Sequence, residues 1–410
     1  MDNLEKEALA LHKKHQGKLA VTSKVSLETA EDLTLAYSPG VAAPCLAIHD
    51  NPQKIYDYTS KGNMVAVVTN GTAVLGLGNI GAAAGLPVME GKAILFKGFA
   101  GVDAVPICLD TQDPLAVIQT VRLLAPSFGG INLEDIKAPQ CFDIEKELRK
   151  TLDIPVFHDD QHGTAIVVVS ALMNAFKLTG KTFQSSKFVV NGAGAAGQAI
   201  TRLLYSAGGR NIILCDSRGA IYEGRPNGMN PYKEDIAKIT NPQHEAGPLE
   251  SVIRKADVFI GVSVANCVSQ DMVRSMNNDA IIMGMANPNP EILPQAAKEA
   301  GARIVCTGRS DYPNQVNNLL AFPGIFRGAL DVRASEINEE MKIAAARAIA
   351  SLIHEDELDE EHIITSPFNP EVAPAVAAAV AQAARKTGVA RNRSVTPEQV
   401  AEHTRKLLAH

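Results

Sequence analysis

The stretch Phe188-Val-Val-Asn-Gly192-Ala-Gly-Ala-Ala-Gly197 decides the fold of this 410-residue chain. A short apolar run enters a turn of the form G-x-G-x-x-G, and the spacing predicts a helix over residues 195–206 and a second strand over residues 211–215. That strand ends at Asp216, in the position where a carboxylate meets the adenosine ribose of a dinucleotide, while the helix start faces the pyrophosphate. The predicted cofactor-binding residues are Gly192, Gly194, Ala195, Ala196, Gly197 and Asp216.

The same glycine pattern occurs a second time, at residues 76–81. Only a few residues separate Gly81 from Gly85 and Pro87, so we expect no comparable helix after this copy. We interpret it chiefly as a tight turn without a ligand, with a role in lining a substrate cleft as the alternative.

The length of the chain suits two domains. Before the glycine unit, strands are predicted at 64–69, 93–96 and 104–110, with helices at 115–124 and 144–152; after it, strands are predicted at 258–262, 281–285 and 303–306. Such alternation predicts mostly parallel sheets covered by helices. We expect an α/β protein with two domains. Residues 1–162 form a substrate- and metal-binding domain, and residues 163–325 form a Rossmann-type doubly wound NAD(P)-binding domain that begins with a helix at 164–178. Residues 326–410 form a helical C-terminal segment that packs back on the domains or on a partner subunit.

The composition excludes several classes of partner. The net charge of −6, from 39 basic and 45 acidic residues, argues against a surface for nucleic acid or anionic membrane. The chain opens with acidic residues, unlike a signal peptide, and its apolar stretch at 165–173 is far shorter than the roughly 20 residues of a membrane span. The six cysteines are scattered without a C-x-x-C pair, which favours free thiols in a reducing compartment. We predict a cytoplasmic protein with a small-molecule substrate.

Two pairs of adjacent carboxylates follow short apolar runs, Glu134-Asp135 and Asp159-Asp160. Oxygen ligands from two loops suit a hard cation such as Mg²⁺ or Mn²⁺, and no cysteine and histidine set has the spacing of a zinc site. Taken singly, an acidic pair of this kind more often begins a helix or lies in solvent. The two pairs together predict a divalent metal site if the fold brings them to one cleft.

Further motifs are distributed along the chain: Tyr37-Ser-Pro-Gly-Val-Ala, Asn70-Gly-Thr-Ala-Val-Leu-Gly-Leu-Gly-Asn-Ile-Gly, Glu90-Gly-Lys92, Glu134-Asp135-Ile, His158-Asp-Asp-Gln-His-Gly-Thr, Met285-Ala-Asn287-Pro and Asn317-Asn318-Leu-Leu-Ala-Phe-Pro-Gly. With these motifs the sequence resembles a malic enzyme of the short bacterial type over nearly its whole length. Each motif alone is weak, but together they are specific.

The resemblance implies oxidative decarboxylation of L-malate to pyruvate and CO₂ with reduction of a nicotinamide dinucleotide. By the family pattern, Lys92 is the general base and Tyr37 the acid, and a lysine base requires a pKa lowered from about 10.4 towards neutrality. Asp159 would orient or assist. The remaining roles fall to two sets: the metal ligands Glu134, Asp135 and Asp160, and the substrate-lining residues Asn287 and Asn318, of which Asn287 also borders the cofactor.

Several alternatives stay open at the level of the sequence. Asp216 favours NAD because a carboxylate repels a 2′-phosphate, whereas Arg218 leaves NADP open. The reaction could instead be malolactic, with bound NAD recycled and lactate released. The chain could also be a catalytically inactive dinucleotide-binding regulator, or a 2-hydroxy-acid or amino-acid dehydrogenase that needs no metal.

Two further points concern the substrate and the assembly. Longer malic enzymes carry an arginine that pairs with a substrate carboxylate, but the corresponding region here reads Thr72-Ala-Val, so Arg309, Lys137 or the backbone of residues 38–40 is expected to replace it. We also expect a homodimer, in which the segment carrying Tyr37 could serve the active site of the neighbouring subunit.

Overall fold

The structure, a computed structural model, describes residues 3–409, and it begins with helices that contribute nothing to the core. These are α1 (Asn3–His15), α2 (Ala30–Ala36), α3 (Ala42–Asp50) and α4 (Ile55–Tyr58). None of the four contains a buried residue. We call residues 3–58 the N-terminal arm. Its apolar side chains stay exposed in the single chain, among them Leu33, Leu35 and Leu46.

The first sheet contains four parallel strands in the order β2-β1-β3-β4. The strands are β1 (Met64–Thr69), β2 (Asp103–Cys108), β3 (Gly130–Leu133) and β4 (Val156–His158). The connecting helices are α5 (Ala82–Ala100), α6 (Pro114–Leu124) and α7 (Gln140–Thr151). Because parallel strands end at the same edge, β3 and β4 deliver the acidic pairs that follow them to one side of the sheet.

Helix α5 corrects two predictions from the sequence. Residues 93–96 were predicted as a strand, and no long helix was expected after Gly81, yet a 19-residue helix spans this whole region. Its buried residues include Met89, Ala93, Phe96 and Ala100. Those positions recur every three to four residues, which places them on one helical face. Pro87 lies inside the helix, in its second turn, without ending it.

Helix α8 (Asp159–Thr179) links the two sheets and begins five residues earlier than predicted. Among the described residues it is the helix that is long and apolar enough to cross a membrane, but 67% of its apolar window is buried inside the protein. It is therefore a core helix. Its first turn carries Asp159 and Asp160, so the acids lie at the end of a rigid element instead of on a loop.

The second sheet contains six strands in the order β10-β9-β8-β5-β6-β7. They are β5 (Lys187–Asn191), β6 (Asn211–Asp216), the short antiparallel β7 (Gly219–Ala220), β8 (Val258–Gly261), β9 (Ile281–Gly284) and β10 (Ile304–Thr307). The intervening helices are α9 (Ala195–Ser206), α10 (Pro231–Ala237), α11 (Leu249–Val252), α12 (Gln270–Arg274) and α13 (Pro294–Glu299). From β5 the chain builds first towards β6 and later towards β8, so the carboxyl end of β5 is a topological switch point. The predicted doubly wound domain is confirmed.

Four helices complete the chain: α14 (Phe322–Asp331), α15 (Glu339–Ala350), α16 (Val372–Lys386) and α17 (Pro397–Leu408). Helices α14 and α16 pack with backbones in close approach, since a Cβ on Gly328 would lie 2.4 Å from the carbonyl oxygen of Ala377. Helix α17 reaches the end of α5, where Leu407 contacts Gly101. The segment thus packs back on the first half of the chain, while the domain boundaries at 162/163 and 325/326 stay predictions.

Candidate active site

A buried lysine lies between two buried carboxylates at the centre of the structure. The Nζ atom of Lys92, on α5, is 2.6 Å from Oδ2 of Asp159 and 2.9 Å from Oε1 of Glu134. The three side chains are 8%, 0% and 6% exposed. The ammonium also lies 4.2 Å from the centre of the Phe322 ring, whose face favours a cation. Three separate elements, α5, α8 and the end of β3, therefore fix the position of this lysine.

Beside the lysine, three carboxylates form the predicted ligand set. One oxygen from each of Glu134, Asp135 and Asp160 lies within 4.8 Å of the other two. The backbone N–H of Asp135 donates to Oδ2 of Asp160 (2.8 Å), and Nδ2 of Asn132 donates to Oε2 of Glu134 (2.8 Å). Oδ2 of Asp135 is buried and has no hydrogen-bond partner among the described residues. Three converging oxygen donors, one of them unsatisfied, fit a hard divalent cation.

The electrostatics of the cluster also favour a cation. Burial, with the mutual repulsion of the acids, raises the pKa of Glu134 to about 7, of Asp135 to about 8 and of Asp160 to about 6. Burial likewise raises the pKa of Asp159 to about 7, although Lys92 opposes the shift. The cluster is thus crowded with negative charge that the protein alone does not balance.

The pKa of Lys92 differs from the expectation for a general base. Burial by itself lowers it, but the charges of Asp159 and Glu134 outweigh burial and raise the pKa above its ordinary value. The arrangement by itself therefore does not provide the lowered pKa that a lysine base requires, because the two carboxylates stabilise the ammonium. Any role for Lys92 as a base requires a route by which its proton leaves.

One cleft of about 910 Å³ connects this centre to the nucleotide turn. Lys92 and the carboxylates Glu134, Asp135 and Asp160 line it together with Asn287 and Asn318, and Gly194, Ala195 and Ala196 line it from the nucleotide domain. Nδ2 of Asn318 also donates a hydrogen bond to Oδ2 of Asp159. Leu75 and Gly76 also line the cleft, so the second glycine pattern contributes to its wall through its first glycine, in agreement with the alternative interpretation.

The nucleotide turn is tight on one side and open on the other. Gly192 has φ +120°, and a Cβ on Gly197 would lie 1.7 Å from the carbonyl oxygen of Gly192. A Cβ on Gly194 would meet nothing within 4 Å. The outer glycines are therefore required by the backbone, whereas the middle one borders the open cleft where a pyrophosphate can approach.

Asp216, at the end of β6, is held by two cations that the sequence analysis did not single out. Arg225 donates to both carboxylate oxygens (2.9 and 2.5 Å), and Nζ of Lys233 lies 2.6 Å from Oδ2. Burial raises the pKa of Asp216, but these hydrogen bonds outweigh it and hold the pKa well below its usual range. Arg218 bonds Asp216 only through its backbone N–H. Two basic residues soon after the β6–β7 pair, Arg225 in the following loop and Lys233 in α10, were the signal available in the sequence.

Tyr37 is the one predicted site residue that the structure leaves apart from the others. It follows α2 in the N-terminal arm, is 69% exposed, and does not line the cleft of its own chain. Gly192, Gly197 and Asp216 also lie outside the cleft lining, but they shape the turn and strand end beside it.

A doubly wound sheet whose glycine turn opens onto a cleft with a buried lysine and clustered acids defines a nicotinamide-dinucleotide-dependent oxidoreductase. The family model described as "Malic enzyme, N-terminal domain" matches residues 16–116, and that described as "Malic enzyme, NAD binding domain" matches residues 161–385. The chain belongs to the malic enzyme family.

Individual relatives agree with this assignment. The chain is 66% identical to the bifunctional malic/malolactic enzyme of Bacillus subtilis (strain 168), over 99% of this chain and 98% of that protein. It is 56% identical to the NAD-dependent malic enzyme of Geobacillus stearothermophilus, over 92% and 79% of the two chains. The crystal structure of malic enzyme from Pyrococcus horikoshii Ot3 superimposes with a TM-score of 0.96 at 51% identity, covering 99% and 96% of the two chains. Other relatives are described as NADP-dependent malic enzymes.

Proposed function

We propose that this chain converts L-malate and NAD to pyruvate, CO₂ and NADH, and that it requires Mg²⁺ or Mn²⁺. The observation that carries the proposal is that one cleft is lined by Lys92, the three clustered carboxylates and Asn318, and also by the glycine turn at Gly194. A substrate bound there lies between acid–base groups on one side and a dinucleotide site on the other, as hydride transfer requires.

Each side chain has a role that follows from its position. Glu134, Asp135 and Asp160 would hold the cation, which when bound supplies Lewis-acid polarisation of the C2 oxygen. We assign Lys92 as the base that accepts the proton of the C2 hydroxyl, for which its ammonium must first lose a proton. The charges of Asp159 and Glu134 hold that proton, and a divalent cation bound by Glu134 would offset one of these charges and so lower the pKa of Lys92. Hydride then leaves C2 for the nicotinamide, and the keto acid loses its C4 carboxyl group as CO₂.

Two asparagines and a tyrosine complete the reaction. Asn287 and Asn318 line the cleft, and their amides can donate to substrate oxygens. After decarboxylation the C3 carbon needs a proton, and we assign that donor to the phenol of Tyr37. Since Tyr37 does not line the cleft of its own chain, this assignment requires a second subunit.

We infer a homodimer in which the N-terminal arm packs on the partner and Tyr37 enters the partner's cleft. Support comes from exposed apolar residues on both sides of Tyr37, since Leu33, Leu35 and Leu46 are 55%, 70% and 63% exposed in the single chain. Mixing Tyr37→Phe chains with Lys92→Ala chains tests the idea. Random reassociation restores about one quarter of wild-type activity if the site is shared, and restores none if each chain uses its own tyrosine.

We propose NAD as the preferred cofactor, with NADP accepted less well. Asp216 ends β6, where we expect the adenosine ribose to bind, but Arg225 and Lys233 offset its charge and so weaken its repulsion of a 2′-phosphate. Replacement of Asp216 by asparagine leaves both cations uncompensated and should shift kcat/KM towards NADP. An unchanged ratio of the two kcat/KM values would contradict this assignment.

A malolactic reaction is the second candidate, because the relative from Bacillus subtilis is described as a bifunctional malic/malolactic enzyme. In that reaction NADH stays bound after the oxidation and returns its hydride to C2 of pyruvate, so that malate yields lactate and CO₂ without net reduction of NAD. Identification of the product, together with the amount of NADH formed per malate consumed, separates the two reactions.

We place the protein in the cytoplasm. Its six cysteines are all unpaired, which suits a reducing compartment. The net charge of −6 gives no support for binding to nucleic acid or to an anionic membrane. Fractionation of the producing cells checks the location.

One assay tests the main proposal. Reduction of NAD and of NADP is followed with malate, with EDTA and after Mn²⁺ is restored, while the product is identified. We expect pyruvate and NADH, loss of both with EDTA, and recovery with Mn²⁺. Turnover that survives EDTA would point to a metal-free dehydrogenase, and dinucleotide binding without turnover would point to a regulator.

A further inference from the structure

We propose that Lys137 forms the ion pair with the substrate carboxylate that is retained in the product, the C1 carboxylate of malate. The inference deepens the proposed function and depends on it. The cleft contains few positive charges, although it must bind malate, a dianion, next to several carboxylates.

Lys137 is the cationic side chain that remains available. Among the described residues that line the cleft, Lys92 and Lys137 are the only cations. Lys92 already forms ion pairs with Asp159 and Glu134, at 2.6 and 2.9 Å. The side chain of Lys137 is partly buried and has no hydrogen bond or ion pair with any residue in the part of the chain that the structure describes.

The backbone fixes Lys137 on the same wall as the clustered carboxylates. Its N–H donates to Oγ1 of Thr72 (3.0 Å), and that hydroxyl donates to Oδ1 of Asn70 (2.6 Å). The N–H of Ala73 donates to the carbonyl oxygen of Asp135 (3.0 Å). These bonds join the uncharged segment 72–74 to residues 135–137, so the base of the lysine is held beside the ligand cluster.

Charge balance shows why this cation matters. With a divalent ion bound, which favours the ionised form of its neighbours, the carboxylates of Glu134, Asp135, Asp159 and Asp160 together with Lys92 and the ion leave one net negative charge before the substrate binds. Malate adds two more negative charges, which is unfavourable in a partly desolvated cleft. Lys137 offsets the deficit on the side of the cleft where the substrate must bind.

The chemistry of the reaction selects the C1 carboxylate as the partner. The C4 carboxylate loses its charge as CO₂ departs, so an ion pair to it would stabilise the ground state more than the transition state and slow the reaction. The C1 carboxylate keeps its charge throughout. A cation paired with C1 therefore orients malate without opposing decarboxylation.

The other two candidates fit less well. The guanidinium of Arg309 is held by both carboxylate oxygens of Asp311, at 2.8 and 2.6 Å, and does not line the cleft. Residues 38–40 belong to the N-terminal arm and also lie outside the cleft lining.

Kinetics of the Lys137→Met variant test the role directly, because methionine keeps much of the length without the charge. We expect the KM for malate to rise about 10- to 100-fold while kcat changes by less than about 5-fold and the KM for NAD stays constant. The thermal midpoint should change little, since the side chain forms no hydrogen bond or ion pair with the residues that the structure describes. Lys137→Arg should recover part of the loss, and Arg309→Met and Lys146→Met serve as controls with wild-type KM values.

Two inhibitors identify which carboxylate is bound. Lactate keeps the C1 carboxylate of malate and lacks C4, whereas 3-hydroxypropanoate keeps C4 and lacks C1. The inhibition constant of lactate should rise in Lys137→Met, and that of 3-hydroxypropanoate should stay the same. An unchanged malate KM, equal effects on both inhibitors, or a selective effect on 3-hydroxypropanoate would overturn the proposal. If wild-type protein did not oxidise malate, the proposed function itself would fail, which is a separate result.

Discussion

Replacing Glu145 by glutamine should lower the free energy of unfolding by about 3 kcal/mol at pH 7. Glu145 lies on α7, is buried, and accepts hydrogen bonds from Nε2 of His162 (2.7 Å), Nε2 of Gln161 (3.0 Å) and the backbone N–H of His158 (3.3 Å). These donors lie on both sides of the two acids that begin α8. One carboxylate therefore ties the corner that carries them to the helix packed against it.

The magnitude follows from the pKa of this carboxyl. Burial opposes its ionisation, but His162 and then Lys342 outweigh burial and lower the pKa of Glu145 from 4.5 to about 2. A folded-state pKa below the unfolded value contributes stability that is present above about pH 4.5 and is lost as the pH falls towards 2. The cost of the substitution should thus shrink from about 3 kcal/mol at pH 7 to about 2 kcal/mol at pH 3.5.

Urea unfolding of Glu145→Gln and wild type at these two pH values, at one protein concentration, measures both effects. Glu147→Gln on the same helix is the matched control, because Glu147 is only partly buried and its carboxylate has no hydrogen bond or ion pair with the described residues; it should change stability by less than about 0.5 kcal/mol. Equal effects of the two substitutions, or a Glu145 effect that is independent of pH, would refute the reasoning.

Three other predictions concern the cleft and the arm. Gly194→Ala should leave the thermal midpoint of the cofactor-free protein unchanged and should weaken NAD binding, measured by calorimetry, about 10-fold or more. Gly197→Ala should instead lower the thermal midpoint, because the added Cβ would overlap the backbone of Gly192. The reverse pattern would be inconsistent with the geometry of the turn. Lys92→Met should reduce kcat by about 10²-fold or more, because it removes the proposed base. It should also lower the thermal midpoint, because the buried carboxylates of Asp159 and Glu134 would lose the cation between them. A near-normal kcat in a stopped-flow assay would exclude a role of Lys92 in proton transfer. Leu35→Asp should convert the dimer to monomer in light scattering and abolish activity, and an active monomer would contradict a shared site.

The parts of the fold that depend on local sequence were predictable. The strand, glycine turn and helix around Gly192 lie almost where expected, with the helix at Ala195–Ser206, because turn conformation and apolar periodicity are set by neighbouring residues. The convergence of the two acidic pairs was also predictable, since the carboxyl ends of β3 and β4 lie side by side in a parallel sheet.

Other features depended on contacts that are distant in sequence. Helix α5 was missed because Gly85 and Pro87 read as breakers, while apolar residues on most of its faces hid the buried stripe that includes Met89 and Phe96. The raised pKa of Lys92 arises from the carboxylates of Glu134 and Asp159, which lie 42 and 67 residues further along the chain. The ion pairs of Asp216 depend on how the chain after β7 folds back to bring Arg225 and Lys233 to it. No local pattern encodes either of these.

Asp159 and Asp160 are consecutive residues in the first turn of α8, yet one pairs with Lys92 and the other belongs to the carboxylate cluster. Consecutive side chains on a helix point about 100° apart, so one orientation of α8 about its axis places Asp159 beside Lys92 and Asp160 in the carboxylate cluster. Packing in the core fixes this orientation of the helix, since 14 of the 21 residues of α8 are buried. Substitutions meant to change either the carboxylate cluster or the surroundings of Lys92 should therefore be made on the elements that face α8, because a rotation of this helix would displace both aspartates together.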